Sequence, residues 1–194
     1  QAAILLENTR LVALEQELGI ARTIQQNLLP KDPPTVPGLD VAGDCQVASN
    51  VGGDYYDHVL VGEGRLGLLL ADVSGHNLAA ALIQTAVRST FRAAMLSDSS
   101  PVGVLSRANE VLYEDLSRSE LFLTAWLGFV DVATRRLEFG DAGHHPALLY
   151  RAATARVDRL SAGGVPVGVL LDGLYEQDHV QLEPGDVLVV YTDG

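Results

Sequence analysis

The sequence predicts an α+β fold, a layered sandwich with largely antiparallel sheets. Two observations carry this. Hydrophobic spacing runs from strand-like to helical and back to strand-like after residue 38, so two groups of strands flank a helical middle. Strict βαβ alternation is missing, which argues against a Rossmann-type arrangement. The length of 194 residues, with 47% hydrophobic side chains, suits one domain with a sizeable core.

The elements follow in order. Residues 2–29 read as one long helix, in which Ile4, Leu11 and Leu18, and again Leu14, Ala21 and Leu28, recur every seven positions. Gly19 weakens that helix by about 1 kcal/mol relative to Ala. Two readings of the stripe stay open: a helix packed on its own domain, or a coiled-coil linker with a dimer contact. Lys31-Asp32-Pro33-Pro34 and Pro37-Gly38 end it. A first strand is expected between Leu39 and Ala48. A hairpin is expected from 54–61 and 65–73, joined through Gly62-Glu63-Gly64, its second arm carrying the apolar run Leu66–Ala71. Residues 77–96 and 101–116 read as helices, with Pro101 in the first turn of the second. Strands are then expected at 123–130, 136–140, 147–150, 156–160, 175–182 and 187–191.

Composition narrows the function classes. Thirteen Lys and Arg face 25 Asp and Glu, a formal net charge of −12, which argues against a nucleic-acid partner. The single Cys45 cannot form an internal disulfide, and a reducing, cytoplasmic setting is expected. No run of about 18 apolar residues predicts a membrane span, and Gln1 opens no signal-peptide pattern. Because Gln1 is no natural start and a hydrophobic run precedes Gly194, the chain is expected to be part of a longer protein.

Three acids sit where a strand meets a glycine-bearing loop: Asp54 after Gly52-Gly53, Asp72 before Val73-Ser74-Gly75-His76, and Asp193 before Gly194. A carboxylate at the tip of an apolar strand is costly to desolvate unless something neutralises it. Hard divalent cations do so with oxygen ligands; a strand-end cap or turn acid is the alternative, and spacing leaves both open.

Five motifs occur in order: Ala21–Pro30 (ARTIQQNLLP), Val51–Asp57 (VGGDYYD), Ala71–His76 (ADVSGH), Ala142–Pro146 (AGHHP), and Gly185-Asp186 with Tyr191–Gly194 (YTDG). The series resembles the bacterial branch of the PP2C-like metal-dependent protein phosphatases, which includes the stage II sporulation and stress-response phosphatases acting on anti-anti-sigma factors. The resemblance runs from about residue 20 to the end. It implies an α-β-β-α sandwich, C-terminally incomplete here, with residues 1–30 a linker helix and 31–194 the catalytic domain. It implies two Mn²⁺ or Mg²⁺ ions, with Asp72 bridging, Asp54 and the backbone carbonyl of Val73 on one ion, and Asp193 on the other. The reaction implied is hydrolysis of phosphoserine or phosphothreonine by a metal-bound hydroxide, without a covalent intermediate, so Cys45 need not act. The implied substrate is a phosphorylated anti-anti-sigma-type protein; from the stripe of the first helix, an upstream sensor domain and a homodimer through residues 1–30 are the further partners expected.

The chain departs from the family pattern in having Asn77 where a glycine usually follows the Asp-Val-Ser-Gly-His run. The family's last metal-binding aspartate is expected downstream of Gly194. For His144 and His145, loop support through hydrogen bonds stands beside a metal or acid–base role, and His76 could meet substrate. Asp57 reads as either a support to the metal site or a turn acid. Arg22 and Gln25 either dock the helix or form a solvated face. Against the enzyme stand two rival readings: a catalytically silent regulatory module of the same fold that binds partner proteins, and an assembly module joined through the leucine stripe.

Overall fold

The computed structural model describes residues 2–46, 51–62, 64–75 and 78–192. Three helices, α1 (Ala2–Leu28), α2 (Leu78–Ser97) and α3 (Pro101–Arg118), accompany eight strands. The strands are β1 (Asp54–Val61), β2 (Arg65–Val73), β3 (Leu123–Asp131), β4 (Arg136–Ala142), β5 (Ala147–Arg151), β6 (Arg156–Leu160), β7 (Gln177–Gln181) and β8 (Val187–Val189). They form a five-stranded sheet ordered β1-β2-β3-β4-β7 and a three-stranded sheet ordered β6-β5-β8. Every pairing between named strands is antiparallel, as the return of short strands around a helical middle predicts.

Side-chain alternation sorts the large sheet into two faces. Tyr55, Val59, Leu69, Ala71, Val73, Leu123, Ala125, Leu127 and Phe129 pack under α2 and α3 with Phe91, Met95, Leu105 and Leu112. The opposite parity, Leu66, Trp126 and Val130, packs with Leu137 and Phe139 against Ala147, Leu149 and Leu160 of the small sheet. Helices, large sheet and small sheet therefore make three layers around two cores. Among the described residues no helix covers the outer face of the small sheet, where Tyr150, Val157, Val187 and Val189 are exposed.

Ser100 caps α3 by accepting from the Gly103 N–H, and Pro101 fills the position where a missing N–H costs little. Helix α1 keeps to the predicted span, but Ile4, Leu11 and Leu14 of its stripe stand exposed. Among the described residues, its last turns bond to the domain. There Gln25 Nε2 donates to the Gly52 carbonyl at 2.7 Å, Gly52 N–H donates to Gln25 Oε1 at 3.1 Å, and Arg88 donates to the Leu28 carbonyl at 2.8 Å. Gln25 thus docks the helix, whereas Arg22 is exposed.

The expected strand at 39–48 is a correction. Residues 40–46 enter no ladder, and Leu39 makes only an isolated bridge to Val36; 47–48 lie outside the described residues. Leu39 and Val41 do pack on the inter-sheet core, as their alternation suggests. The segment crosses the sheet rather than pairing with it: Gly43 lies so close to the Tyr56 ring that a Cβ there would come within 2.4 Å of it, and the Tyr56 hydroxyl donates to the Gly43 carbonyl. Alternation reports which face is buried, not whether a neighbouring edge is free to pair.

Phe91 is fully buried at the centre of the helix-facing core. Phe91→Ala is expected to lower unfolding free energy by about 3–5 kcal/mol, measured by urea denaturation against the unaltered chain.

Candidate functional site

The ladder between β1 and β2 sets Asp54 directly across from Asp72, and that between β2 and β3 sets Asp72 across from Thr124. All three have the parity that faces the small sheet, so they form one row at the end of the large sheet. Cβ atoms of directly opposed residues are about 4.5–5.5 Å apart, and like charges so placed are destabilising on their own. Both acids are half-buried. The chain leaving β8 runs over this row, and Thr192 donates its hydroxyl proton to Asp54 Oδ2 at 3.2 Å.

The glycine pair before Asp54 has a steric reason. A Cβ on Gly53 would come within 2.3 Å of the Val73 carbonyl oxygen, so only glycine lets that carbonyl lie against the turn. Two open spaces flank the row. One, lined by Asp44, Cys45, Asp54, Tyr56 and Thr192, has a volume of about 90 Å³. The other, about 330 Å³, is lined by Asp72, Ser74, Gly75, Phe122, Thr124, Gly143 and His145. Burial pushes the Cys45 thiol up to about 11, with the carboxylates of Asp54 and Asp44 adding to the effect. Asp54 and Asp44 together make the charge around this space negative.

Of the sequence-predicted ligands, Asp54, Asp72 and Val73 come together here, while Asp193 lies outside the described residues, as do His76 and Asn77. Among the described residues, no group of three or more His, Cys, Asp or Glu gathers into a metal cage. The fit to a divalent cation rests on what is present: two opposed carboxylates, a backbone carbonyl admitted by Gly53, and a negative field. Hard oxygen donors of this kind suit Mg²⁺ or Mn²⁺.

Asp57 belongs elsewhere. Its parity turns it under α2, where it is buried, accepts from the Tyr55 hydroxyl and pairs with Arg92 at 3.0 Å. Burial, then Asp57, pushes the Tyr55 hydroxyl far up. His144 takes the supporting role, contacting Thr124 and the Tyr191 carbonyl. His145 stacks on the Tyr191 ring at 6.0 Å and borders the larger cleft. Sequence reasoning did not find Thr124 or Thr192, which lie far from the acids along the chain. The available signal for Thr192 was its place in Tyr191–Gly194.

Comparison with known proteins bears on the fold and the family. The SiaA-PP2C domain of Pseudomonas aeruginosa superposes with a TM-score of 0.73 at 22% identity, over 92% of this chain and 71% of that one. A structure of RsbX in complex with magnesium gives 0.58 at 16% identity, over 74% and 67%. The fold is thus that of the PP2C-like phosphatase domains. The family described as Stage II sporulation protein E (SpoIIE) matches residues 62–194, and the chain belongs to that family. It is also 28% identical over 181 residues to the phosphoserine phosphatase RsbU of Bacillus subtilis (strain 168), covering 93% of this chain and 53% of RsbU. The chain thus spans about half the length of that relative. Among the described residues, no helix is long and apolar enough to cross a membrane.

Two outcomes follow from this packing. Gly53→Ala forces a methyl group against the rigid Val73 carbonyl and is expected to cost about 1–3 kcal/mol of stability by urea denaturation. Cys45 should resist alkylation: folding raises its pKa from 9.0 to about 11, a shift that leaves about a hundredfold less thiolate near pH 8. The shift favours the folded state below pH 9, and that contribution fades as pH rises through 11. Iodoacetamide labelling at pH 8, native against urea-unfolded chain, measures the difference.

Proposed function

We propose that this chain is the catalytic part of a metal-dependent protein phosphatase that hydrolyses phosphoserine or phosphothreonine on a regulatory protein. The observation that carries the reading is the cross-strand pair Asp54–Asp72, each acid lining one of the two open spaces. Membership of the SpoIIE family and likeness to a phosphoserine phosphatase support it.

Asp54, Asp72 and the Val73 carbonyl would hold the cations, with Asp193 as a further ligand. When bound, Mn²⁺ or Mg²⁺ lowers the pKa of water, screens the phosphate and stabilises the leaving alkoxide. The remaining work falls to the chain. Thr192 fixes one oxygen of Asp54 by its hydrogen bond, which sets the orientation of that carboxylate. Opposed β1 and β2 hold the two carboxylates at a set spacing, which limits reorganisation during turnover. The larger cleft offers Ser74, Thr124 and His145 as polar groups and Phe122 as an apolar wall. A phosphorylated side chain entering over Asp72 would rest among them.

The substrate proposed is an anti-anti-sigma-type phosphoprotein in a cytoplasmic setting. The half-docked α1, residues 1–30 of the linker, would carry the signal of an upstream sensor domain, and its exposed stripe would carry the dimer contact. Residues 31–194 would then be the catalytic domain.

Phosphate release from a phosphoserine protein tests the reading. Turnover is expected with Mn²⁺, to be lost on chelation, and to fall to background in Asp72→Asn at unchanged secondary structure by circular dichroism. Full activity in Asp72→Asn would remove the metal assignment.

A further inference from the structure

A buried imidazole closes a ring around the row of acids. His144 lies in the turn between β4 and β5 and is 7% exposed. Its Nδ1 is 2.8 Å from Thr124 Oγ1, and its Nε2 is 3.1 Å from the Tyr191 carbonyl oxygen. A carbonyl can only accept, so Nε2 carries the proton, and the neutral ring accepts at Nδ1 from the Thr124 hydroxyl. One side chain thus takes a hydrogen bond from the large sheet and gives one to the strand leaving the small sheet.

The ring can be followed link by link. Asp54 opposes Asp72, and Asp72 opposes Thr124. Thr124 donates to His144, and His144 donates to Tyr191. Thr192, the next residue, donates to Asp54. Two side chains, His144 and Thr192, carry this ring from one sheet to the other. Thr192 acts at one edge of the acid row and His144 at the other, so together they fix both the height and the direction of the segment 191–192.

We propose that His144 is a positioning residue for cation binding: it holds Tyr191 and Thr192 in register with Asp54 and Asp72. The proposal rests on the metal-dependent reading above, because it concerns how the segment 191–192 is held against the two opposed acids. His144 itself is not a ligand, since both ring nitrogens are engaged. Groups that orient metal ligands typically change affinity by 10- to 100-fold when removed.

The test is Mn²⁺ uptake by the whole chain, followed through the electron paramagnetic resonance of the free ion, at a temperature where each variant is folded. His144→Leu removes both hydrogen bonds, whereas His144→Gln keeps an acceptor and a donor on one side chain. Leu137→Ala opens a cavity in the inter-sheet core, roughly 20 Å along the sheet from Asp72. The expected result is a dissociation constant raised at least tenfold in His144→Leu, largely restored in His144→Gln, and unchanged in Leu137→Ala. Wild-type affinity in His144→Leu, or an equal loss in Leu137→Ala, overturns the proposal and leaves the metal reading standing. No uptake by the unaltered chain overturns both. If His144→Leu does not fold, Thr124→Val, which deletes only the bond to Nδ1, takes its place with the same two outcomes.

Discussion

The antiparallel register of β1, β2 and β3 is the constraint on which the rest of the structure depends. A side-chain period of two means that a slip by one residue would send Asp54, Asp72 and Thr124 into the helix-facing core. Burial prevents the slip. Tyr55, Leu69, Ala71, Leu127 and Phe129 must stay under α2 and α3, and the opposite parity must meet the small sheet. Each buried apolar side chain contributes about 1.5–3 kcal/mol relative to exposure. The acids are held in an unfavourable row by hydrophobic side chains several residues away.

Around this row, backbone groups that enter no ladder find side-chain partners. Gly52 lies just before β1, and its N–H and carbonyl are both taken by Gln25 of α1. The amide is suited to this because it offers a donor and an acceptor on one side chain. The helix and the turn that admits the Val73 carbonyl therefore share one connection, and the final turns of α1 are structurally part of the site. The preceding turns, with Ile4, Leu11 and Leu14 exposed, are not.

Much of this was legible in the sequence because the signals were local. The hairpin 54–61 and 65–73 follows from Gly62-Glu63-Gly64 between two apolar runs, and the observed strands keep those limits. Helix α3 announced its start through Ser100-Pro101. Where the reading failed, the deciding partner was remote. Residues 39–46 alternate like a strand, yet the Tyr56 side chain of the edge strand β1 meets Gly43 and the segment joins no ladder. The sequence leaves Asp57 open between a support to the metal site and a turn acid; it shares its parity with Tyr55 and Val59, and Arg92 of α2, remote along the chain, pairs with it. Thr124, His144 and Tyr191 are separated by 20 and 47 positions along the chain, and no short-range pattern joins them.

Electrostatics decides how such a site can work. On the proposed reading, a phosphomonoester would be an anion approaching a chain of formal net charge −12, and the cleft would present it with Asp72. The lining holds Ser74, Thr124 and His145 but no Lys or Arg among the described residues. Uncharged donors alone do not offset that repulsion, because their dipoles act over a shorter range than the charge of the acids. A cation held by the same acids reverses the sign of the field where the phosphate must sit. Carboxylates that would repel substrate would thereby become the means of binding it. Their spacing, set by β1 against β2, then matters more than their basicity.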